Sequence, residues 1–436
     1  MTALVAVCCG GLEQYVREDL AKKVPDDVTI EQFTQSTDTS NAIKLGTQSR
    51  YIHKGDGGCG KLILRNVQDV TFIHSVRSVQ CWLVHLASSC TLPSGAEGIQ
   101  HVQQLTLGVN FESALESWVC CLNDEWREKM SDLVAKKRRP TFCVRCIRDG
   151  QHEYNSVELA RKIGESVLEK TDWTVSLAKM DIEIVALVLS ETLLLSMHVP
   201  SSSSRFLKSR LPGEARLPVV STGLTSGLRA STAYNLVCMG RPSIGDVMVD
   251  AMAGCGAGFV EAAYSHGCIA IGGDVDRELQ TTVRQSLQSC SQLSSNRAVA
   301  EMMWWSAHKL PLLTASIDIL LIDLPFGKMN KKVPKHYRAN VPRYVAEIAR
   351  VLRAGGRLVT LVQAHKNLVT SLDSIFFADV QIIGVNIGGY ICSAVLANRT
   401  AVPFKVVGSI EDQLLQDSTI GVKRERAVDA VDAVDV

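Results

Sequence analysis

The run Asp323-Leu324-Pro325-Phe326 combines residue types that suit chemistry on a planar amine. It follows an apolar, β-branched stretch, Ile317 to Ile322, which predicts a buried strand. The carboxylate can accept hydrogen bonds from N–H groups, and the proline stiffens the turn so that the leucine carbonyl becomes a second acceptor. The aromatic ring offers a flat surface on which a base can stack. We predict that these four residues are catalytic, although a plain strand end followed by a turn has the same pattern.

A second chemical segment lies upstream, in the loop Asp250-Ala251-Met252-Ala253-Gly254-Cys255-Gly256. Glycines in such a loop let the backbone approach a ligand, and they expose N–H groups at a helix start. The next strand ends at Asp274, about 20 residues on, where a ribose-binding carboxylate is expected. Asp250 suits a ligand with an amine or positive charge better than a pyrophosphate. The pattern favours S-adenosylmethionine over a dinucleotide as cofactor, held by Asp250, Ala253, Gly254, Gly256 and Asp274.

The elements that must position these acids alternate between strand and helix from Leu228 onward, which predicts a parallel sheet. In an open parallel sheet, Asp250, Asp274 and Asp323 would lie at the carboxyl ends of strands around one crevice. Two later β-rich runs, 380–385 and 391–396, could add an antiparallel edge. The predicted strands are 246–249, 268–272, 299–304, 317–322 and 356–362, with helices at 258–264, 277–289 and 341–352 between them.

The N-terminal half predicts smaller α+β units. Residues 1–110 mix short strands with helices at 12–23 and 76–87, and a long helical stretch follows at 111–134. Residues 141–198 have a strand-helix-strand-strand order. A segment rich in Ser, Pro and Gly at 201–227 reads as a linker, and the Ala-Val-Asp repeat at the end predicts disorder. The predicted units are 1–110, 111–200, the linker 201–227, 228–410 and a disordered tail, 411–436.

Charge and composition limit the classes of function. The formal net charge of the 436 residues is +1, so any surface that binds nucleic acid must be local. Two clusters and one lysine near the catalytic run are candidate phosphate contacts, although solvated loops are the alternative. These candidate RNA-binding residues are Lys136, Lys137, Arg138, Arg139, Arg205, Lys208, Arg210 and Lys328.

Other features of the sequence bear on the cellular compartment of the protein. No apolar run is long enough to span a bilayer, and the first residues lack the basic region of a signal peptide. Fourteen cysteines without such a signal predict reduced thiols in an intracellular compartment. The pair Cys143 and Cys146 has no second pair at zinc-site spacing, so we predict a strand there and no metal site.

Three features occur in this order along the chain: Asp-Ala-Met-Ala-Gly-Cys-Gly, the acid Asp274, and Asp-Leu-Pro-Phe-Gly-Lys. Together they resemble the motifs of class I methyltransferases that modify exocyclic amines. The run Leu228-Arg229-Ala230-Ser231-Thr232-Ala233-Tyr234 is similar to the start of the catalytic domain in THUMP-domain RNA methyltransferases. The resemblance implies a C-terminal Rossmann-like methyltransferase domain after ferredoxin-like and THUMP domains. It also implies a cytoplasmic tRNA guanine-N2 methyltransferase that uses S-adenosylmethionine and works with a small zinc-binding activator subunit.

Three residues depart from the pattern of that family. Ala251 stands where the family usually has proline, Ala257 where it has threonine, and Ser306 where it has an acid that contacts the cofactor's adenine. We expect Ser306 to lie in the cofactor site with weaker binding. The alternatives are therefore a non-catalytic THUMP-type RNA-binding protein, or an enzyme that acts on a guanosine of another RNA such as a small nuclear RNA.

Overall fold

The structure is a computed structural model. It describes residues 2–33, 42–44, 51–53, 60–200, 228–281, 283–284, 287, 299–324, 337–363, 365–372, 374–387 and 390–404. Within these ranges, no helix is both long and apolar enough to cross a membrane.

The N-terminal half is built on one eight-stranded sheet with the strand order β2-β5-β1-β6-β10-β9-β7-β8. Helices pack against one face of it over a core that includes Trp118, Phe142 and Trp173. Two further strands of this half, β3 and β4, belong to the other sheet. The strands are β1 (Thr2–Val7), β2 (Thr29–Gln32), β3 (Ala42–Lys44), β4 (Tyr51–His53), β5 (Lys61–Val67), β6 (Cys81–Ser89), β7 (Thr141–Asp149), β8 (Thr174–Val175), β9 (Ile182–Leu189) and β10 (Thr192–His198), and the helices are α1 (Glu13–Leu20), α2 (Glu97–Leu107), α3 (Phe111–Cys120), α4 (Asp124–Lys129), α5 (Ser131–Val134) and α6 (Ser156–Lys170).

The C-terminal half is a second sheet with the order β13-β12-β11-β14-β15-β17-β16-β4-β3. The pairs among β11 to β15 are parallel, and β17 runs antiparallel between β15 and β16. This is the α/β, Rossmann-like architecture expected from the sequence, including its antiparallel edge. Its elements are α7 (Ala230–Met239), β11 (Val247–Asp250), α8 (Ala257–His266), β12 (Ile269–Asp274), β13 (Val299–Trp304), β14 (Ile317–Asp323), α9 (Tyr337–Val351), β15 (Leu352–Val362), α10 (Lys366–Leu372), β16 (Phe377–Ile387) and β17 (Tyr390–Arg399).

The helix predicted at 76–87 is wrong, because strand β6 occupies most of that segment. β6 pairs with β1 on one side and with β10 on the other, so its backbone groups are satisfied in a ladder. Trp82 and Val84 face the helical layer while Leu83 faces the opposite side of the sheet. A short apolar run such as this one has no period that separates strand from helix.

The single helical stretch predicted at 111–134 is three helices, α3, α4 and α5. Asn123 interrupts it, and the Asn123 side chain accepts a hydrogen bond from the Trp126 N–H at 2.9 Å as the N-cap of α4. Trp118 is fully buried, and its indole N–H donates to the His198 carbonyl at 2.7 Å. Trp118 therefore belongs to the core of the N-terminal half.

The units predicted at 1–110 and 111–200 share one sheet, because β6 of the first pairs with β10 of the second. The β3–β4 hairpin instead extends the C-terminal sheet, where β4 pairs with β16. The domain boundaries themselves stay predictions. The predicted linker and tail, 201–227 and 411–436, lie outside the described residues.

Candidate active site

The three predicted acids lie along one edge of the C-terminal sheet. β11 is flanked by β12 and β14, and Asp250 is in register with Gly272 on one side and Leu321 on the other. Asp274 and Asp323 each lie two residues beyond those partners, at the carboxyl ends of their strands. Because the strands are parallel, the three residues lie at the carboxyl edge of the sheet, where the charges of Asp323 and Asp274 both act on Asp250. Open α/β sheets bind ligands in the crevice outside this edge.

The glycine-rich loop between β11 and α8 wraps tightly around Asp250. Gly256 precedes α8 with φ +89°, a left-handed conformation that glycine adopts without strain. A Cβ atom on Gly258 would lie 2.5 Å from Asp250 Oδ2 and would also overlap Leu321. The first turn of α8 therefore packs directly on the carboxylate.

Asp274 organises the same loop from the neighbouring strand. The Gly254 N–H donates to Asp274 Oδ2 at 3.0 Å, and the Asp276 N–H donates to Oδ1 at 3.1 Å. Ala253 is buried, and its N–H donates to the Gly273 carbonyl at 2.9 Å. Because carboxylate oxygens accept more than one hydrogen bond, Asp274 can still accept from a ligand hydroxyl.

Asp250 and Asp323 differ from Asp274 in hydrogen bonding, because each has a carboxylate oxygen without a partner. Asp250 is 4% exposed and Asp323 is partly buried, and in each the inaccessible Oδ1 has no hydrogen-bond partner within the protein. Burial, together with the nearby charge of Asp323, raises the pKa of Asp250 to about 8. Burial also raises the pKa of Asp323 to about 7. Two carboxyl groups held in this way favour a ligand that supplies hydrogen-bond donors or positive charge.

Ser306 follows β13 and is exposed at the same end of the sheet. The preceding Trp305 fixes its position, because the Trp305 backbone N–H donates to the Asp274 carbonyl at 3.1 Å. The indole N–H of Trp305 donates to the Ala251 carbonyl, also at 3.1 Å. The departures at Ala251 and Ala257 are both buried methyl groups, 2% and 4% exposed, so neither brings a polar atom to the loop.

The catalytic run is described only as far as Leu324. Leu324 is buried, and its N–H donates to the Leu361 carbonyl at 3.0 Å. Pro325, Phe326 and Lys328 lie outside the described residues, as do Arg205, Lys208 and Arg210.

One feature of this edge was missed from the sequence. The Arg277 guanidinium lies 4.2 Å from the centroid of the Trp304 ring, and the Trp304 side chain is 51% exposed. Trp304 is in register with Asp274, so this stacked pair borders the crevice. The Trp-Trp pair at 304–305 was the only signal in the sequence, and it does not show which ring turns outward.

The basic cluster at 136–139 belongs to the N-terminal half of the chain, in a different sheet unit from the three aspartates. It borders a cavity of about 910 Å³ that is also lined by α3 and the end of α6. Each of its four cations has an acidic neighbour: Glu116 for Lys136, Asp132 for Lys137, Asp181 for Arg138 and Asp172 for Arg139. These pairs are mostly exposed, so they weaken the cluster as an anion site without removing it. Its role in RNA binding stays a prediction.

Two family models match the chain. A THUMP domain model matches residues 124–198, and an RMKL-like methyltransferase domain model matches residues 221–392. The chain combines a THUMP domain with an RMKL-like methyltransferase domain. The methyltransferase match includes Asp250, Asp274 and Asp323, so the crevice lies inside the methyltransferase domain.

Curated relatives and solved structures agree with this domain pair. The chain is 30% identical over 278 residues to tRNA (guanine(6)-N(2))-methyltransferase THUMP3 of Mus musculus, which covers 60% of this chain and 52% of that protein. It is 27% identical over 237 residues to U6 snRNA (guanine-N(2))-methyltransferase THUMPD2 of Bos taurus, covering 52% of this chain and 42% of that protein. The chain thus spans about half the length, or less, of the curated relatives it matches.

Among solved structures, TrmN from Thermus thermophilus has a TM-score of 0.62 at 17% identity, covering 92% of this chain and 100% of that one. A possible methylase from Clostridium difficile has a TM-score of 0.58 at 12% identity, covering 92% and 99%. At these identities the likeness concerns the fold, and it extends over both halves of the THUMP–methyltransferase chain.

Proposed function

We propose that this protein transfers a methyl group from S-adenosylmethionine to the exocyclic N2 amine of guanosine in RNA, with tRNA as the substrate. The observation that carries the proposal is the pair Asp250 and Asp323 at the carboxyl edge of the sheet in a methyltransferase domain, where each carboxylate keeps one oxygen without a hydrogen-bond partner. The THUMP domain supports an RNA substrate, and the names of the curated relatives support guanine N2 as the target.

The residues of the crevice fit S-adenosylmethionine. The Asp250 carboxylate would accept a hydrogen bond from the ligand's ammonium group, and Asp274 would accept from the ribose hydroxyls. Gly254 and Gly256 leave two positions of the loop without a side chain, so that its backbone could approach the ligand. The Ser306 hydroxyl would reach the adenine end. When bound, this ligand supplies a methyl group on a positively charged sulfur.

The amine of guanine is a poor nucleophile because its lone pair is delocalised into the ring. In our proposal, the Asp323 carboxylate and the Leu324 carbonyl accept the two N–H groups and favour a pyramidal nitrogen whose lone pair faces the methyl group. Catalysis by such groups consists mainly of positioning and electrostatic stabilisation. The proton that leaves after transfer can pass to Asp323, because burial sets the pKa of that side chain at about 7. Phe326 would stack on a guanine drawn out of its helix.

In this proposal Asp323 must be ionised before transfer, so that it can accept one amine N–H and take up the proton afterwards. Its raised pKa of about 7 leaves a fraction of the side chain protonated at neutral pH. Pro325 would hold the turn that aims the Leu324 carbonyl, as the sequence predicts.

A second RNA substrate has support of its own. The relatives THUMPD2 act on U6 snRNA by name, and the match to the Bos taurus protein covers 52% of this chain. The proposal of tRNA rests on the higher identity to THUMP3. The activator subunit and the cytoplasmic location expected from the sequence belong to the same proposal.

The test is methyl transfer in a purified system. The protein, with a zinc-binding activator subunit added in half of the samples, is incubated with S-adenosylmethionine and either unfractionated tRNA or U6 snRNA. Mass spectrometry of the digested nucleosides should show N2-methylguanosine in the tRNA sample. N2-methylguanosine in U6 snRNA alone would replace tRNA as the substrate. A complete absence of methylated nucleoside, together with no S-adenosylmethionine binding, would favour the non-catalytic RNA-binding alternative.

A further inference from the structure

Three exposed cations beside the crevice have no acidic partner. Lys309 follows β13, Arg343 is the seventh residue of α9, and Lys366 is the first residue of α10. Each of these segments leaves the carboxyl end of a strand, so the three residues lie on the crevice side of the sheet. Within the described part of the chain, no carboxylate lies within ion-pair distance of any of them. Exposed cations whose charge the protein does not offset favour an anionic ligand.

Two arginines near the opposite edge of the same sheet are paired with acids. Arg353 forms an ion pair with Asp318, at the start of β14, and Arg357 lies 3.7 Å from Asp246, just before β11. The four cations of the cluster at 136–139 also have acidic neighbours. Acids therefore offset the charge at both of these places, whereas the cations beside the crevice keep theirs.

The loop that carries Lys309 is held against α9. The His308 ring stacks on the Tyr344 ring, with centroids 4.4 Å apart. The Leu310 N–H donates to Glu347 Oε1 at 2.6 Å. Lys309 lies between these two contacts, so its backbone has a fixed place beside the helix.

Arg343 and Lys366 belong to the same layer. Burial and, after it, the charge of Arg343 lower the pKa of His308, so these two side chains lie close together. At the start of α10, His365 Nδ1 lies 2.8 Å from Ser393 Oγ, which anchors the residue before Lys366 to β17. The loop after β13, α9 and α10 also contribute buried side chains to one apolar cluster. The three cations are therefore carried by segments that pack together.

Methyl transfer to RNA would bring phosphates to this edge of the sheet, where ionised carboxyl groups repel them. Phosphate contacts fix the position of a nucleic acid on a protein. We propose that Lys309, Arg343 and Lys366 form a phosphate-binding rim that holds the RNA backbone next to the nucleotide whose base enters the crevice. The rim rests on the proposed function for the identity of its ligand.

Binding measurements test the rim without methyl transfer. A rim variant, Lys309→Gln with Arg343→Gln and Lys366→Gln, is compared with wild type by filter binding of tRNA between 50 and 300 mM salt. The slope of log Kd against log salt should fall by about two to three, and Kd at low salt should rise roughly tenfold or more, because each lost phosphate contact releases fewer counterions. Each single substitution should lower the slope by about one, which keeps the test decisive if the triple variant fails to fold.

The matched control removes three exposed cations that are each paired with an acid, namely Arg65→Gln, Arg161→Gln and Arg353→Gln. It changes the net charge by the same amount and should leave the slope close to that of wild type. A wild-type slope in the rim variant would overturn the rim. An equal loss of slope in the control would also overturn it, because the effect would then follow net charge alone.

Ethylation of single RNA phosphates locates the contacts. Among the phosphates whose ethylation weakens binding to wild type, those held by the rim should lose this effect in the rim variant. An identical pattern for the two proteins would overturn the rim. If the slope depends on the rim but no methyl group is transferred, the proposed function fails and the rim stands. If the enzyme is active and the rim variant keeps the wild-type slope, only the rim fails.

Discussion

Hydrogen bonding divides the three aspartates of the crevice into two kinds. Asp274 has a backbone N–H on each carboxylate oxygen, so it both shapes the glycine loop and remains able to accept from a ligand. Asp250 and Asp323 each keep one inaccessible oxygen without a partner. The sequence predicted the acids from their places at strand ends. It could not predict which would be unpaired, because that depends on packing in the folded chain, such as the contact of Gly258 and Leu321 with Asp250.

The raised pKa of Asp250 predicts how cofactor affinity depends on pH. The empty site holds a proton on this carboxyl up to about pH 8, because burial disfavours its charge, whereas a cationic ligand binds the ionised form. We therefore expect the ratio of S-adenosylmethionine affinities, wild type over Asp250→Asn, to rise from pH 6 to pH 8 and then level off. The rise should approach about tenfold per pH unit at its steepest.

Isothermal titration calorimetry from pH 6 to pH 9 measures the S-adenosylmethionine affinity of the wild-type protein and of the Asp250→Asn variant. Taking the ratio removes the titration of the ligand's own amine. A ratio that stays constant over this range would contradict the assignment of Asp250 to the cationic end of the ligand.

At the scale of elements, the C-terminal half was predictable because short, apolar-rich strands alternate with helices along the chain. The bounds of β11 to β14 lie within two residues of the predicted ones. β6 was missed because its nine residues have no decisive period and become a strand only through pairing with β1 and β10. Local pattern therefore determined the site-bearing sheet, and long-range pairing determined the N-terminal one.

The close packing of α8 on Asp250 predicts the effect of Gly258→Ala. The new Cβ would lie 2.5 Å from Asp250 Oδ2 and would also overlap Leu321, so the first turn of α8 must shift. We expect a loss of about 1–3 kcal/mol in the free energy of unfolding and at least a tenfold loss of S-adenosylmethionine affinity. Thermal unfolding and calorimetry check the two values.

The matched control is Gly164→Ala in α6, where the nearest atom to a new Cβ is 3.8 Å away. Alanine is a better helix former, so this variant should be neutral or up to about 1 kcal/mol more stable. Equal effects of the two substitutions would show that the contact with Asp250 is unimportant.

At the scale of the whole molecule, the sequence predicted separate units and a linker but not the junction between them. At this junction the Arg77 guanidinium donates to Glu261, 184 residues further along the chain, and the Tyr234 hydroxyl donates to Asp19, 215 residues before it. No local pattern connects residues at such distances. The sheet shared by the two predicted N-terminal units was likewise invisible, because it depends on the pairing of β6 with β10.

The basic cluster at 136–139 gives a prediction on RNA binding. If its side chains contact phosphates, replacing Lys136, Lys137 and Arg139 by alanine should weaken tRNA binding and reduce the slope of log Kd against log salt by about two to three. Arg138 is left in place because it forms two hydrogen bonds with Asp181, which also accepts from the Thr141 N–H.

Filter binding between 50 and 300 mM salt measures the slope, and Lys129→Ala, on the neighbouring helix α4, controls for loss of a single surface charge. A slope equal to that of wild type would mean that the acidic neighbours of the cluster keep it from the RNA.

The central claim is that Asp323 is where the amine is held for methyl transfer. The most direct measurement is single-turnover transfer of labelled methyl groups to tRNA by wild type, Asp323→Ala and Asp323→Asn, with tRNA and S-adenosylmethionine affinities determined on the same preparations. We expect at least a hundredfold loss of rate in Asp323→Ala with tRNA affinity unchanged, because removing one hydrogen-bonding group that stabilises a transition state, such as an oxyanion-hole donor, typically costs about 10²–10³ in rate. The Asp323→Asn variant keeps one acceptor oxygen, so its rate of methyl transfer should lie between those of the wild type and Asp323→Ala. An alanine variant that transfers methyl groups at the wild-type rate would contradict the account.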